Sequence, residues 1–293
     1  MTVTIGVHPA NPTLFHLARL DYAQQELAPL GETVDWHHYT DGVSTGALLT
    51  DGTLDFGGTG STPPITAQAE GHDIVYTAVS APRPGHGALL VLDDGPVRGV
   101  ADLRTTTVHL AIGSWQTHLV AKALHDAGLD YGGDITPRRG TSASEQLLRD
   151  GEIAAWVAQG AELVAARERG GLRVLIPTAD VITDRSVFFA RRDTAERRPE
   201  LIAAITRALH RADAWVAAHS GEAAGQIAGT AGGSAAHWQQ ALSVLPWRTE
   251  APGHAFVDEQ QQAADILYAA GFLPAQVTVA DALARPVGTA QKG

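Results

Sequence analysis

Apolar and polar residues alternate along Val3–Val7, and apolar residues then recur at helical spacing at Leu14, Leu17 and Ala18. The change of period predicts a strand followed by a helix, with Asn11 as its N-cap and Pro12 at its first position. That helix is expected to run to Pro29–Gly31. Strands follow over Thr33–Tyr39, Leu54–Gly57 and Ile74–Ser80. Between them lie a short helix at Ser44–Leu49 and a second helix that opens behind Ser61 and Thr62 and stops at Gly71. Past Pro82-Arg83-Pro84, Ala88–Leu92 and Thr107–Ile112 read as strands and Val100–Leu103 as a short helix. Gly113-Ser114 turns the chain into a helix ending at Gly128. Ser142–Arg149, Ala154–Val157, Ala161–Arg169 and Arg173–Pro177 continue the exchange, and Val187–Ala190 is a return strand. Helices at Pro199–His219, Ser234–Leu245 and Asp258–Ala270 finish the chain, closed by Gly271 and Pro274. This alternation predicts α/β layering with mainly parallel sheets.

Composition narrows the class. A 44% hydrophobic share with only 18% charged residues excludes a disordered chain. No stretch approaches the roughly 18 consecutive apolar residues of a membrane span, so no membrane insertion is expected. Twenty-one Lys and Arg against 32 Asp and Glu give a net charge of −11, which argues against nucleic acid as a partner. The absence of cysteine removes thiolate chemistry and Cys-ligated metals. The start Met-Thr-Val-Thr carries no secretory leader, so the chain reads as cytoplasmic as written, and as extracytoplasmic if a leader was trimmed.

One arrangement recurs. A strand ends in a small or polar loop that opens a helix at Val7-His8 to Pro12, at Gly57-Gly58 to Pro63, and at Ile112-Gly113 to Gln116. Ligands of open α/β sheets settle at such carboxyl ends. Helix N-termini gathered there hold an oxyanion without Lys or Arg.

Leu54–Gly71, which reads LDFGGTGSTPPITAQAEG, together with His72–Val79 resembles the aliphatic-sulfonate-binding proteins of ABC importers. Val100–Val108, Ala111–Leu119 and Gly151–Val157 agree with that family, and the likeness covers most of residues 3–270. It implies a two-lobed type II periplasmic-binding-protein-like fold with the ligand cleft between lobes. The first lobe would take 1–87, the second 88–187, and 188–293 would return to the first. Strands near Ala88–Leu92 and Val187–Ala190 would make the crossings. The implied function is a solute-binding protein for a small organic anion, sulfonate-like, that works with the membrane component of an ABC transporter. Neither cofactor nor metal is expected. By position, the family's binding loops fall on His8–Thr13, Gly60–Thr62 and Ser114–Thr117. The candidate ligand-binding residues are His8, Asn11, Gly60, Ser61, Thr62, Ser114, Trp115, Gln116, Thr117, His118 and Gln159.

Departures accompany the match. Where many members carry Trp-Asp-Pro-Tyr, this chain has Gln159-Gly160-Ala161-Glu162, and Trp115 is expected to supply a replacement apolar wall. Arg83 and His86 are expected either at the cleft as cationic gates or in solvent. Aromatic sulfinate desulfinases, enzymes of the same fold, resemble the chain at Phe56-Gly57-Gly58 and around Trp215–Ser220, but their cysteine is replaced by His8. The alternative reading is therefore a cytoplasmic enzyme using His8, with an ordinary pKa of about 6.5, as acid or base.

Overall fold

The computed structural model describes residues 1–284; the end of the expected third stretch, 285–293, lies outside them. Strand β1 (Thr2–Val7) pairs in parallel with β2 (Thr33–His38) along its whole length, and at Ile5 with β3 (Phe56–Thr59). The single helix expected between β1 and β2 is instead two, α1 (Pro12–Leu17) and α2 (Tyr22–Leu27). The break has a local cause. The N–H groups of Arg19 and Leu20 bond carbonyls three residues back, at His16 and Leu17, which tightens the turn, and the Arg19 guanidinium takes the Phe15 carbonyl at 2.7 Å. Helices α3 (Thr45–Thr50) and α4 (Thr62–Ala69) precede β4 (Ile74–Ser80).

The chain then crosses over and builds a second sheet. Its elements are β5 (Gly87–Leu92), β6 (Thr106–Leu110), α5 (Trp115–Asp126), β7 (Ile135–Arg139), α6 (Ser144–Arg149), β8 (Ala155–Gln159), α7 (Gly160–Arg169) and β9 (Leu172–Pro177). It returns through β10 (Val187–Arg191) and continues as α8 (Arg192–Arg197), α9 (Pro199–Ala218), α10 (Ser220–Ala231), α11 (Ala235–Ser243), β11 (Thr249–Glu250) and α12 (His254–Ala269). The first sheet has the order β11-β4-β10-β3-β1-β2 and the second β7-β6-β8-β5-β9.

The sheets are mixed, which corrects the expectation of mainly parallel pairing. Strand β10 runs antiparallel to both β3 and β4, and β5 antiparallel to both β8 and β9. The reason is traffic across the hinge: β4 carries the chain out of the first sheet and β10 carries it back beside β4, so the two must oppose. The crossings themselves are the segments 81–86 and 178–186, which lie side by side through Arg83 N–H to Asp184 O at 2.8 Å.

Each lobe buries its own core. Val3, Ile5, Leu14, Phe56, Phe188 and Leu209 pack in the first, and Leu89, Val108, Leu110, Leu119 and Val157 in the second. Among the described residues no helix is long and apolar enough to cross a membrane.

Candidate functional site

The loop after β1 carries His8, only 2% exposed. Its Nε2 lies 2.9 Å from the Gly58 carbonyl. A carbonyl only accepts, so Nε2 carries the proton and Nδ1, which has no partner, is left as a buried lone pair. Burial lowers the pKa of His8, opposed by the Gly58 hydrogen bond and the Asp41 carboxylate. Asn11 caps α1 by accepting the Leu14 N–H at 3.1 Å, which leaves its amide Nδ2 buried and unpartnered. Gly58 completes this corner: a Cβ there would fall 2.5 Å from the Phe188 ring and 2.9 Å from the Asn11 amide.

The second loop enters α4. The Ser61 carbonyl accepts from Gln260 Nε2 of α12 at 2.7 Å, while the hydroxyls of Ser61 and Thr62 are buried without partners. Gly60 faces Trp115, with its hypothetical Cβ 3.4 Å from the indole. The third loop is more self-contained. Ser114 Oγ accepts the Gln116 N–H at 3.1 Å and donates to the Ala111 carbonyl at 2.7 Å, and Thr117 Oγ1 accepts the Gly113 N–H at 2.9 Å. Both hydroxyls thus hold the α5 N-terminus together. His118, one turn on, has both ring nitrogens unpartnered, and burial lowers its pKa to about 4. With Ser61, Lys122, Glu259 and Gln260 it lines a cavity between α5 and α12.

Trp115 joins the parts. It is 4% exposed, packs over Gly87, and donates from Nε1 to Gln159 Oε1 at 3.0 Å. Gln159 and His86 line a small cavity with Pro9, Ala10, Gly160, Leu163, Val164, Trp238 and Leu242. One wall therefore comes from the first lobe and the other from the second. A wider mouth follows, lined by Thr141, Arg149, Trp156, Glu162 and Trp238, where burial and the nearby Glu145 raise the Glu162 pKa. The structure gathers Gly60, Trp115, Gln116 and Gln159 by direct contact, sets His8 and Asn11 on either side of Pro9-Ala10, and puts Ser61 and His118 on the neighbouring cavity. Arg83 and His86 are neither free gates nor solvent-borne: Arg83 ion-pairs with the buried Asp184 and His86 hydrogen-bonds the same carboxylate. Trp238, Gln260 and Asp184 escaped the sequence reading, since each reaches the site from a distant segment and no local spacing marks it. Among the described residues no group of three or more His, Asp or Glu is placed to hold a metal ion.

The family model described as NMT1/THI5 like matches residues 31–223. Over 255 residues, 86% of this chain and 80% of the relative, the sequence is 32% identical to an Escherichia coli (strain K12) protein named for binding aliphatic sulfonates. The crystal structure of the periplasmic aliphatic sulphonate binding protein SsuA from Escherichia coli superposes with a TM-score of 0.84 at 28% identity, covering 96% of this chain and 97% of that one. The alkanesulfonate-binding protein SsuA from Xanthomonas axonopodis pv. citri, bound to MOPS, gives 0.83 at 25% identity over 96% and 97% of the two chains. The desulfurization enzyme DSZB, at 16% identity and a TM-score of 0.66, shares the fold alone. With the match spanning most of its length, the chain belongs to the NMT1/THI5-like family and, within it, to the aliphatic sulfonate-binding proteins.

Proposed function

We propose that this protein is an extracytoplasmic solute receptor that closes its lobes on a small organic sulfonate and presents it to the membrane component of an ABC importer. The single observation that carries this reading is the concentration of unpartnered buried donors on the first two loops: Asn11 Nδ2, Ser61 Oγ and Thr62 Oγ1. A buried polar group without a partner costs about 1–3 kcal/mol, so a ligand that supplies several partners at once recovers much of that penalty. A sulfonate offers three acceptor oxygens on one charge, matched to N–H and O–H donors and to helix N-termini. The apolar walls of the cleft, Leu163, Val164, Trp238 and Leu242, suit the carbon chain that follows the head group. We further assign 1–87 and 188–293 to one lobe and 88–187 to the other, with hinge motion at segments 81–86 and 178–186.

Isothermal titration with hexane-1-sulfonate, methanesulfonate, taurine and hexanoate tests the reading. Saturable binding of at least one sulfonate is expected, with stabilisation of about 2.7 kcal/mol at a hundredfold excess over Kd, and with the ligand recovered chemically unchanged. Sulfite release, or no heat from any sulfonate, would overturn it.

A further inference from the structure

The two crossing segments bury an ionic group at the inner end of the cleft. Arg83 is 3% exposed and Asp184 1%. Arg83 Nη2 lies 2.8 Å from Asp184 Oδ2, and Arg83 Nη1 donates to Ser186 Oγ at 2.9 Å. His86 Nδ1 sits 2.7 Å from the same Oδ2. An ionised carboxylate accepts only, so this bond fixes the His86 proton on Nδ1 and turns Nε2 to the other side of the ring. That ring rests on Trp115 at a centroid separation of 5.0 Å and lines the interlobe cavity beside Gln159.

Gln159 is oriented by a chain of donors. The Ala111 N–H occupies Gln116 Oε1 at 2.6 Å, so Gln116 presents its Nε2, which donates to Gln159 Oε1 at 3.3 Å. Trp115 Nε1 donates to the same oxygen at 3.0 Å. With its carbonyl doubly occupied, the Gln159 amide has its NH2 group left to donate into the cavity. The inner end of the cavity thus pairs a fixed amide donor with an imidazole nitrogen that donates to an anion only when protonated.

We propose that His86 is a ligand of the anionic head group and takes up a proton from solvent as that group binds, so that its Nε2–H and the Gln159 amide donate to the same oxyanion. This rests on the sulfonate-receptor reading above and adds to it a linkage between capture and pH. Charge balance favours it. Arg83 and Asp184 cancel, so a protonated His86 leaves one buried positive charge that an incoming sulfonate neutralises. The ionised groups facing His86 are Arg83 and Asp184 from the crossing segments and Arg167 from α7 on the cavity wall, while His118 of α5 also feels Asp184. Burial and then Arg83 lower the pKa of His86 in the empty cleft, against the pull of Asp184, so the proton arrives with the ligand.

A sulfonate stays ionised throughout the range used, so any pH dependence of its binding belongs to the protein. The test is titration of the full chain with hexane-1-sulfonate from about pH 5.5 to about pH 8.5 in buffers of different ionisation enthalpy. Wild type is expected to take up about one proton on binding above neutrality, with affinity falling by up to about tenfold per pH unit. His86→Gln should abolish the uptake and flatten the profile. Gln159→Glu keeps an acceptor for Trp115 and Gln116 but replaces the donating NH2 by a second acceptor; it should weaken binding by about a hundredfold or more. Wild-type binding that ignores pH, proton uptake that survives in His86→Gln, or full affinity in Gln159→Glu would each overturn the proposal while leaving the receptor reading standing. Failure of wild type to bind any sulfonate would remove both.

Discussion

His16 shows what a single buried group does to the pH range of the fold. It lies on α1 with no exposed surface, its Nδ1 3.2 Å from Gln226 Oε1 and its Nε2 without a partner. Burial lowers its pKa to about 4, against the Gln226 hydrogen bond. A depressed histidine pKa means that the native state holds the neutral ring while the unfolded chain takes up a proton near pH 6.5. Stability is therefore intact above about pH 6.5 and is lost as pH falls toward 4, by on the order of 1–3 kcal/mol for this residue. Urea denaturation at pH 7 and pH 4.5 should show a steeper acid loss for wild type than for His16→Leu, with His118 maintaining part of the slope; parallel losses would contradict the assignment. At this scale the loops could be placed because each starts at a strand end, as His8 follows Val7 directly and Ser61 lies two residues past Thr59. Asp184 was not legible. Its partner His86 is 98 residues away, and a lone Asp in a turn-rich stretch says nothing about that distance.

Among the elements, α10 combines a weak local signal with a strong tertiary one. Its sequence SGEAAGQIAGTA carries three glycines, which lower helix propensity, yet Ala223, Ala224 and Ile227 form a fully packed stripe. Sequence reading ended the preceding helix at His219 and left 220–231 unassigned. Gly225 and Gly229 are exposed, and a Cβ on either meets nothing within 4 Å. Gly225→Ala and Gly229→Ala are each expected to stabilise the protein by about 0.5–1 kcal/mol, read as a rise in thermal midpoint. No gain in either would mean that the helix tolerates glycine for a reason outside its own backbone. Strand β7 was missed for a different cause. It is an edge strand, ITPRR, whose Pro137 and two arginines erase the alternation that a half-buried strand normally shows. Helix α8, RDTAER, carries a single apolar residue and so no stripe, and the two-residue β11 is too short for any periodicity to appear.

For the molecule as a whole, periodicity predicted the layers but not the division into lobes; that came from the resemblance at Leu54–Gly71 and its companion segments. The lobes meet through contacts of unequal worth. Arg139 and Asp41 approach to 3.9 Å and His237 and Glu168 to 2.8 Å, but these are surface pairs that salt screens. The packing of Trp238 on Gly160 is different, since a Cβ on Gly160 would lie 3.1 Å from the indole and the ring forms a wall of the cleft. Trp238→Ala should weaken hexane-1-sulfonate binding by about tenfold or more, through lost apolar contact, with an unchanged far-UV circular dichroism spectrum. Unchanged affinity would show that the carbon chain lies elsewhere.

The position of β10 between β3 and β4 has a consequence for how the chain comes to be folded at all. The first four strands emerge before their central partner exists, leaving facing edges on β3 and β4 unpaired while more than a hundred further residues are made. All five strands of the second sheet, by contrast, lie in the unbroken stretch from Gly87 to Pro177. The second sheet can therefore form first, and its completion brings Thr178 back beside Gly87, with the Thr178 hydroxyl on the Gly87 carbonyl at 2.6 Å. That closure turns a distant strand into a near one before β10 seeks its slot, lowering the loop entropy that the last and most sequence-distant pairing must overcome. The crossing that joins the two lobes is, during folding, the clasp that lets the first lobe finish.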